Sequence, residues 1–247
     1  MRDYNTYQYT KQELIRYGVM GGLGSSFILY LFYGSIYLCI PGSVVGAAVF
    51  LWYQNKELAK RQQWQLMLEF KDAMDSFVSA LVAGYSMENA VSEAYCDLEL
   101  MYGRETIMLS ELREIRQRLT LREPLDRLFL DLGRRSGVED IITFAQIYST
   151  ARRSGGNLVK VMKRTADNIS EKTEIQREIR TAIAGKQMEA VCMMVIPLLI
   201  ILYLQIFSPG FLSPLYQGAA GRLFMTIALL VYGGAVMWSR AIMKTEA

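Results

Sequence analysis

Asp72 and Asp75 stand three residues apart, a spacing that puts two carboxylates on one helix face, as acid–base work by a carboxylate pair requires. Solvation of a helix surface accounts for that spacing equally well. Histidine is absent, which excludes Ser-His-Asp triads, Cys-His pairs, histidine zinc sites and imidazole proton relays. The three cysteines, Cys39, Cys96 and Cys192, are far apart, and two of them sit in apolar runs where a thiol acts as a small hydrophobe. Neither a disulfide nor a metal site is expected. Gly18, Gly21, Gly22 and Gly24, followed by Ser25 and Ser26, imitate a phosphate-binding loop. The Walker lysine is missing, however, and close packing of membrane helices through small residues explains the patch better. The pair Arg152 and Arg153, beside Gly155 and Gly156, is the candidate contact for an acidic partner surface. Cations completing a helix C-terminus are the plainer reading of the same residues. No catalytic residue, cofactor or metal ligand is predicted.

The charges show which elements must carry these residues. Residues 56–187 hold 41 of the 51 charged side chains, and within that segment 21 are basic and 20 acidic. A balanced segment of this kind is no nucleic-acid surface. No charge occurs from Tyr17 to Asn55, a stretch that as one straight helix would run about 58 Å, nearly twice the hydrocarbon thickness. Gly34 and Ser35 allow a reversal, giving spans at about 18–33 and 36–53. A second oily region follows Glu189, with a span at about 188–207 that contains Pro197, the predicted helix kink, and another at about 223–239. Arg2, Lys11, Arg16, Lys56, Lys60, Arg61, Lys186, Arg240 and Lys244 all fall on one side of these four spans, and only Arg222 opposes them. The positive-inside rule then puts both termini and the central segment in the cytoplasm, with short loops at 34–35 and 208–221 outside.

The central segment reads as helices. Met67, Phe70, Met74, Phe77 and Leu81 recur at spacings of 3 and 4, and Gly84 ends the run. Ser86 is a plausible N-cap for a helix burying Ala90, Val91, Ala94, Tyr95 and Leu98. Stripes at Met108–Leu119, at Leu125–Leu132 after Pro124, at Ile141–Tyr148 and at Leu158–Ile169 complete six helices with short connections. The last passes through a polar stretch, 171–186, into the third span without a breaker, joining bundle and membrane rigidly. The expected fold is therefore all-α: a polytopic membrane protein with four transmembrane helices and a six-helix cytoplasmic bundle inserted between the second and third. Its domains are an N-terminal hairpin, 1–55, the bundle, 56–187, and a C-terminal pair, 188–247.

Two N-terminal spans, six cytoplasmic helices, the Gly155-Gly156-Asn157-Leu158 corner within 144–166, the Glu178-Ile179-Arg180 run and the Pro209–Tyr216 loop resemble the type II secretion F family. Within it the chain is most similar to the TadB and TadC platform proteins of Tad (Flp) pilus systems. The resemblance implies a non-enzymatic inner-membrane platform for pilus assembly or secretion. It further implies coupling of a hexameric secretion ATPase to pilin extraction, a second F-family platform protein and pilins as partners, and homo- or hetero-oligomeric assembly in lipid without nucleic acid. The alternative is an ion-driven stator resembling MotA and TolQ proteins, which share four spans with a large cytoplasmic insert. A membrane enzyme built on Asp72 and Asp75 is a third, weaker reading.

Overall fold

The computed structural model describes residues 4, 11–103, 106–154, 157–208, 210–216 and 218–245. Arg2 and Pro209 lie outside the described residues, as do the side chains of Lys11, Cys39, Arg240 and Lys244. Among the described residues the chain is all-helical and without strands: α1 Lys11–Tyr33, α2 Ile36–Val82, α3 Met87–Tyr102, α4 Ile107–Thr120, α5 Leu125–Ser136, α6 Glu139–Ser154, α7 Leu158–Phe207, α8 Ser213–Tyr216 and α9 Ala219–Thr245. Two compact units emerge, one on Asn55–Ile175 together with Tyr4, the other on Gln8–Gln54 and Gln176–Ala247 within their described residues.

The first unit has one apolar core, to which all six helices contribute the stripes read from their spacing. Phe70, Met74 and Phe77 of α2, Ala90, Val91 and Leu98 of α3, and Met108 and Leu112 of α4 are buried together. Leu128, Phe129 and Leu132 of α5, Phe144 and Tyr148 of α6, and Met162, Ala166 and Ile169 of α7 complete it. Polar side chains start these helices. The Ser86 hydroxyl accepts the Asn89 N–H at 3.3 Å, and the Thr106 hydroxyl accepts that of Leu109 at 3.3 Å. Buried Glu69 on α2 reaches across to accept the Met108 N–H at 2.8 Å, satisfying a second orphan donor of α4. At Gly133 a side chain would lie 2.6 Å from Ile142, so α5 and α6 approach as closely as they do because that position has no Cβ.

A buried ion pair crosses this core's edge. Glu111 is 3% exposed, and Arg135 grips it with two guanidinium bonds of 2.7 and 3.2 Å. Tyr4 donates its hydroxyl to the same carboxylate at 2.7 Å. Burial alone would weaken the charge of Arg135, but the bonds and charge of Glu111, joined by Asp131, outweigh it and hold the guanidinium above its ordinary pKa. Burial, followed by the bond to Glu111, likewise raises the Tyr4 phenol, so its proton stays in the bond.

In the second unit, α1 and α2 meet through glycines. A Cβ on Gly21 would lie 2.7 Å from Phe50, and Gly42 and Gly46 lie directly against Leu29 and Ser25. The glycine patch is therefore helix interior, and Gly21 and Gly22 face α2 as packing positions. Gly34 turns the chain with φ of 59°, a left-handed conformation glycine adopts freely, and Tyr216 packs on it while donating its hydroxyl to Leu31 O at 2.6 Å. Leu31, Phe32 and Met225 form a small core with Leu198, Ile201 and Leu202 of α7.

Three helices among the described residues are long and apolar enough to cross a membrane: Gln12–Tyr33, Leu158–Phe207 and Ala220–Ser239. Their large side chains, such as Leu23, Leu199 and Leu230, are more than half exposed, the arrangement a lipid-facing surface requires. The expected second span, 36–53, is the beginning of α2, where the side chains of Ile36, Leu38 and Cys39 lie outside the described residues.

Candidate functional site

One end of the first unit gathers three corners. There α2 stops and hands over to α3 through Ala83 and Gly84, α5 begins after Pro124, and α6 ends at Ser154 before α7 starts at Leu158. Arg152 in the last turn of α6 lies 4.0 Å from Asp126 in the first turn of α5. Tyr148, one turn earlier on α6, feels Glu88 of α3 as well as Asp126 and Arg152. Burial first, then the charge of Glu88, pushes the Tyr148 phenol up to about 12 against the pull of Arg152. Its hydroxyl is thus a neutral group under any cellular condition.

Of the predicted contact residues, Arg152 and Arg153 are exposed at this corner, and Gly155 and Gly156 lie outside the described residues. Asn157 caps α7 by accepting the Lys160 N–H at 3.0 Å, as Ser86 caps α3 at the neighbouring corner. Arg152 is 55% exposed in its long-range pair with Asp126, so its charge faces water. Arg153 forms no ion pair among the described residues. Two exposed cations on a solvent-facing end can meet an acidic surface.

The aspartates that suggested acid–base chemistry share one ammonium. Lys71 donates to Asp75 at 3.0 Å and to Asp72 at 3.3 Å, and the Tyr102 hydroxyl also bonds Asp72. The bond to Asp75 does most to raise the Lys71 pKa, so the cation persists. This is a solvated ion cluster on a helix surface. Among the described residues no three metal-ligating side chains come together.

Pro197 lies inside α7, which continues from Leu158 to Phe207. Proline removes an N–H and crowds the carbonyls one turn before it. The carbonyl that loses its donor is that of Met193, and Tyr232 of α9 donates its hydroxyl to the next one along, Met194 O, at 2.7 Å, tying α9 to α7 beside the proline. Tyr232→Phe is expected to weaken the α7–α9 association by about 0.6 kcal/mol, with ~1.7 kcal/mol as the upper bound for such bonds. Unfolding in mixed micelles would measure it, and a change indistinguishable from zero would remove the role.

Residues 73–206 match the family model of type II secretion system (T2SS), protein F. The chain belongs to this family. No curated protein and no solved structure matches it. In this F-family chain the match runs from Ala73 in α2 to Ile206 near the end of α7, taking in all three corners, the Glu111–Arg135 pair and Pro197. With its three apolar helices the F-family chain is a multi-pass membrane protein of the secretion class.

Sequence reasoning missed the two buried carboxylates, Glu69 and Glu111. A signal was present for each. Glu111 falls on the stripe Met108, Leu112, Ile115, and Glu69 falls beside Leu66, Phe70 and Ala73, so both stand on buried faces where a charge needs a partner.

Proposed function

We propose that this chain is a non-catalytic inner-membrane platform for Tad (Flp) pilus assembly or type II-like secretion, passing the work of a cytoplasmic hexameric ATPase to pilin extraction and assembly. The observation that carries the reading is the family match across residues 73–206. In this reading the chain crosses the membrane four times. The second span is the uncharged start of α2, supported by the exposure of Tyr37, Ile40, Val44, Val45, Val49 and Trp52 along it. Residues 56–187 form the cytoplasmic bundle between the hairpin, 1–55, and the pair, 188–247, and both termini are cytoplasmic. A second F-family platform protein, pilins and further copies of the chain are its partners within the lipid. Pro197 kinks the third span. Deleting the gene should abolish assembly or secretion, and intact pili in the deletion strain would contradict the proposal.

The Arg152–Gly156 corner is the proposed contact with the ATPase. Arg152→Glu combined with Arg153→Glu should leave the melting temperature almost unchanged, since exposed pairs contribute roughly 0–1 kcal/mol. It should lower ATPase binding by at least about tenfold, as like-charge juxtaposition in an interface does. Unchanged binding and assembly would remove the corner from the interface.

A further inference from the structure

Between α3 and α4 lies an open groove of about 590 Å³, lined by Glu88, Asn89, Tyr95, Arg113, Arg116 and Gln117 among others. Its floor is Tyr95, only 9% exposed. Arg113 donates from Nη2 to the Tyr95 hydroxyl at 3.0 Å, and the Arg116 guanidinium lies over the ring, 4.7 Å from its centroid. One tyrosine thus holds two guanidinium groups, one at its hydroxyl edge and one on its face. Arginines held further from solvent behave differently: Arg118 is neutralised by Glu123 and Asp131, and Arg135 by Glu111 and Asp131. Neither Arg113 nor Arg116 has a carboxylate within ion-pair distance among the described residues.

Such an arrangement suits recognition. An arginine whose rotamer is already fixed by an aromatic loses less freedom on binding, and its remaining N–H donors keep the fork geometry that matches carboxylates. The two arginines are three residues apart on α4, about 4.5 Å along the axis, the separation of acidic side chains one turn apart on a second helix. With one guanidinium at the hydroxyl edge of Tyr95 and the other on its face, the groove offers two forks of donors, and two forks take two carboxylates. Asn89 and Gln117 add amides that hydrogen-bond a peptide, and Glu88 disfavours further negative charge at its own position.

We propose that the α3–α4 groove docks a protein segment bearing two carboxylates one helical turn apart, one for Arg113 and one for Arg116. The groove shares Glu88 with the Arg152–Gly156 corner but binds through different cations, and it stands whether or not an ATPase is the partner. The test places a photocrosslinker in the groove, Gln117→p-benzoylphenylalanine, in the full chain in its native membrane, and sequences the crosslinked peptide. The expected peptide carries Asp or Glu residues three or four apart. Arg113→Glu with Arg116→Glu should reduce the adduct at least tenfold, and lysines in place of the partner's two carboxylates should restore it. Circular dichroism of the purified double variant checks that it folds, with Arg113→Gln and Arg116→Gln as the milder pair if it does not. A lipid adduct, a peptide without the acidic pair, no adduct, or an adduct insensitive to charge reversal would each overturn the proposal.

Discussion

Phe144→Ala should destabilise the first unit by about 3–5 kcal/mol, the usual loss when a buried aromatic ring is removed from a packed core. Phe144 is fully buried and sits at the centre of an aromatic cluster. Its ring meets Phe129 edge-on at 4.9 Å and Phe70 edge-on at 5.5 Å, and stacks with Phe77 at 6.2 Å and Tyr148 at 6.3 Å. These four neighbours come from α2, α5 and α6, so the cavity would open where three helices converge and no single side chain could collapse into it. Against a typical domain stability of about 5–15 kcal/mol, the loss is a large fraction of the whole. Denaturant unfolding of the full chain in micelles, followed by circular dichroism, gives the number. Phe144→Leu, which keeps more apolar volume, should cost clearly less. A loss below about 1 kcal/mol for the alanine variant would mean that the cluster is not the centre of the core.

Arg135→Met should cost a similar amount by a different route. The substitution keeps most of the side chain's apolar stem and removes only its charge and its fork of donors. Glu111, 3% exposed, would then hold a negative charge with only the Tyr4 hydroxyl to answer it. Breaking a buried pair in this way costs about 3–5 kcal/mol, whereas replacing both partners by apolar groups is often neutral. The double variant Arg135→Met, Glu111→Leu should therefore recover most of the stability lost by the single one. Equal stabilities for the single variant and the wild type at neutral pH would show that the pair contributes nothing.

The two substitutions divide what was legible in the sequence from what was not. Phe70, Phe77, Phe129 and Phe144 could be assigned to buried faces because helical spacing alone selects them. Ser86 was readable as a cap because a short hydroxyl side chain follows a glycine break. The partners of Glu111 were not readable: Tyr4 is 107 residues away along the chain, and Arg135 is on a different helix, so only the fold brings them together. Gly133 gave no local sign that α5 and α6 approach there, since a glycine inside a helix has several explanations. The continuity of α2 from Ile36 to Val82 was within reach, because no proline or glycine separates Tyr53 from Trp64. The candidate site divides in the same way. Its arginines were visible as a charge beside a glycine corner, but the meeting of that corner with Asp126 and Glu88 depends on how four helices end together. The α3–α4 groove was hidden for the same reason, since Tyr95 was counted as core and its role as a support for two arginines needs the α4 face beside it.

A platform of the kind proposed must hold its secretion motor in one complex at the membrane. The most direct test is to tag its C-terminus, crosslink native membranes gently, purify the complex and identify its partners by mass spectrometry. The expected result is recovery of a P-loop secretion ATPase together with a second F-family protein. Recovery of a single-span partner with a periplasmic domain, and no ATPase, would contradict it and support an ion-driven stator.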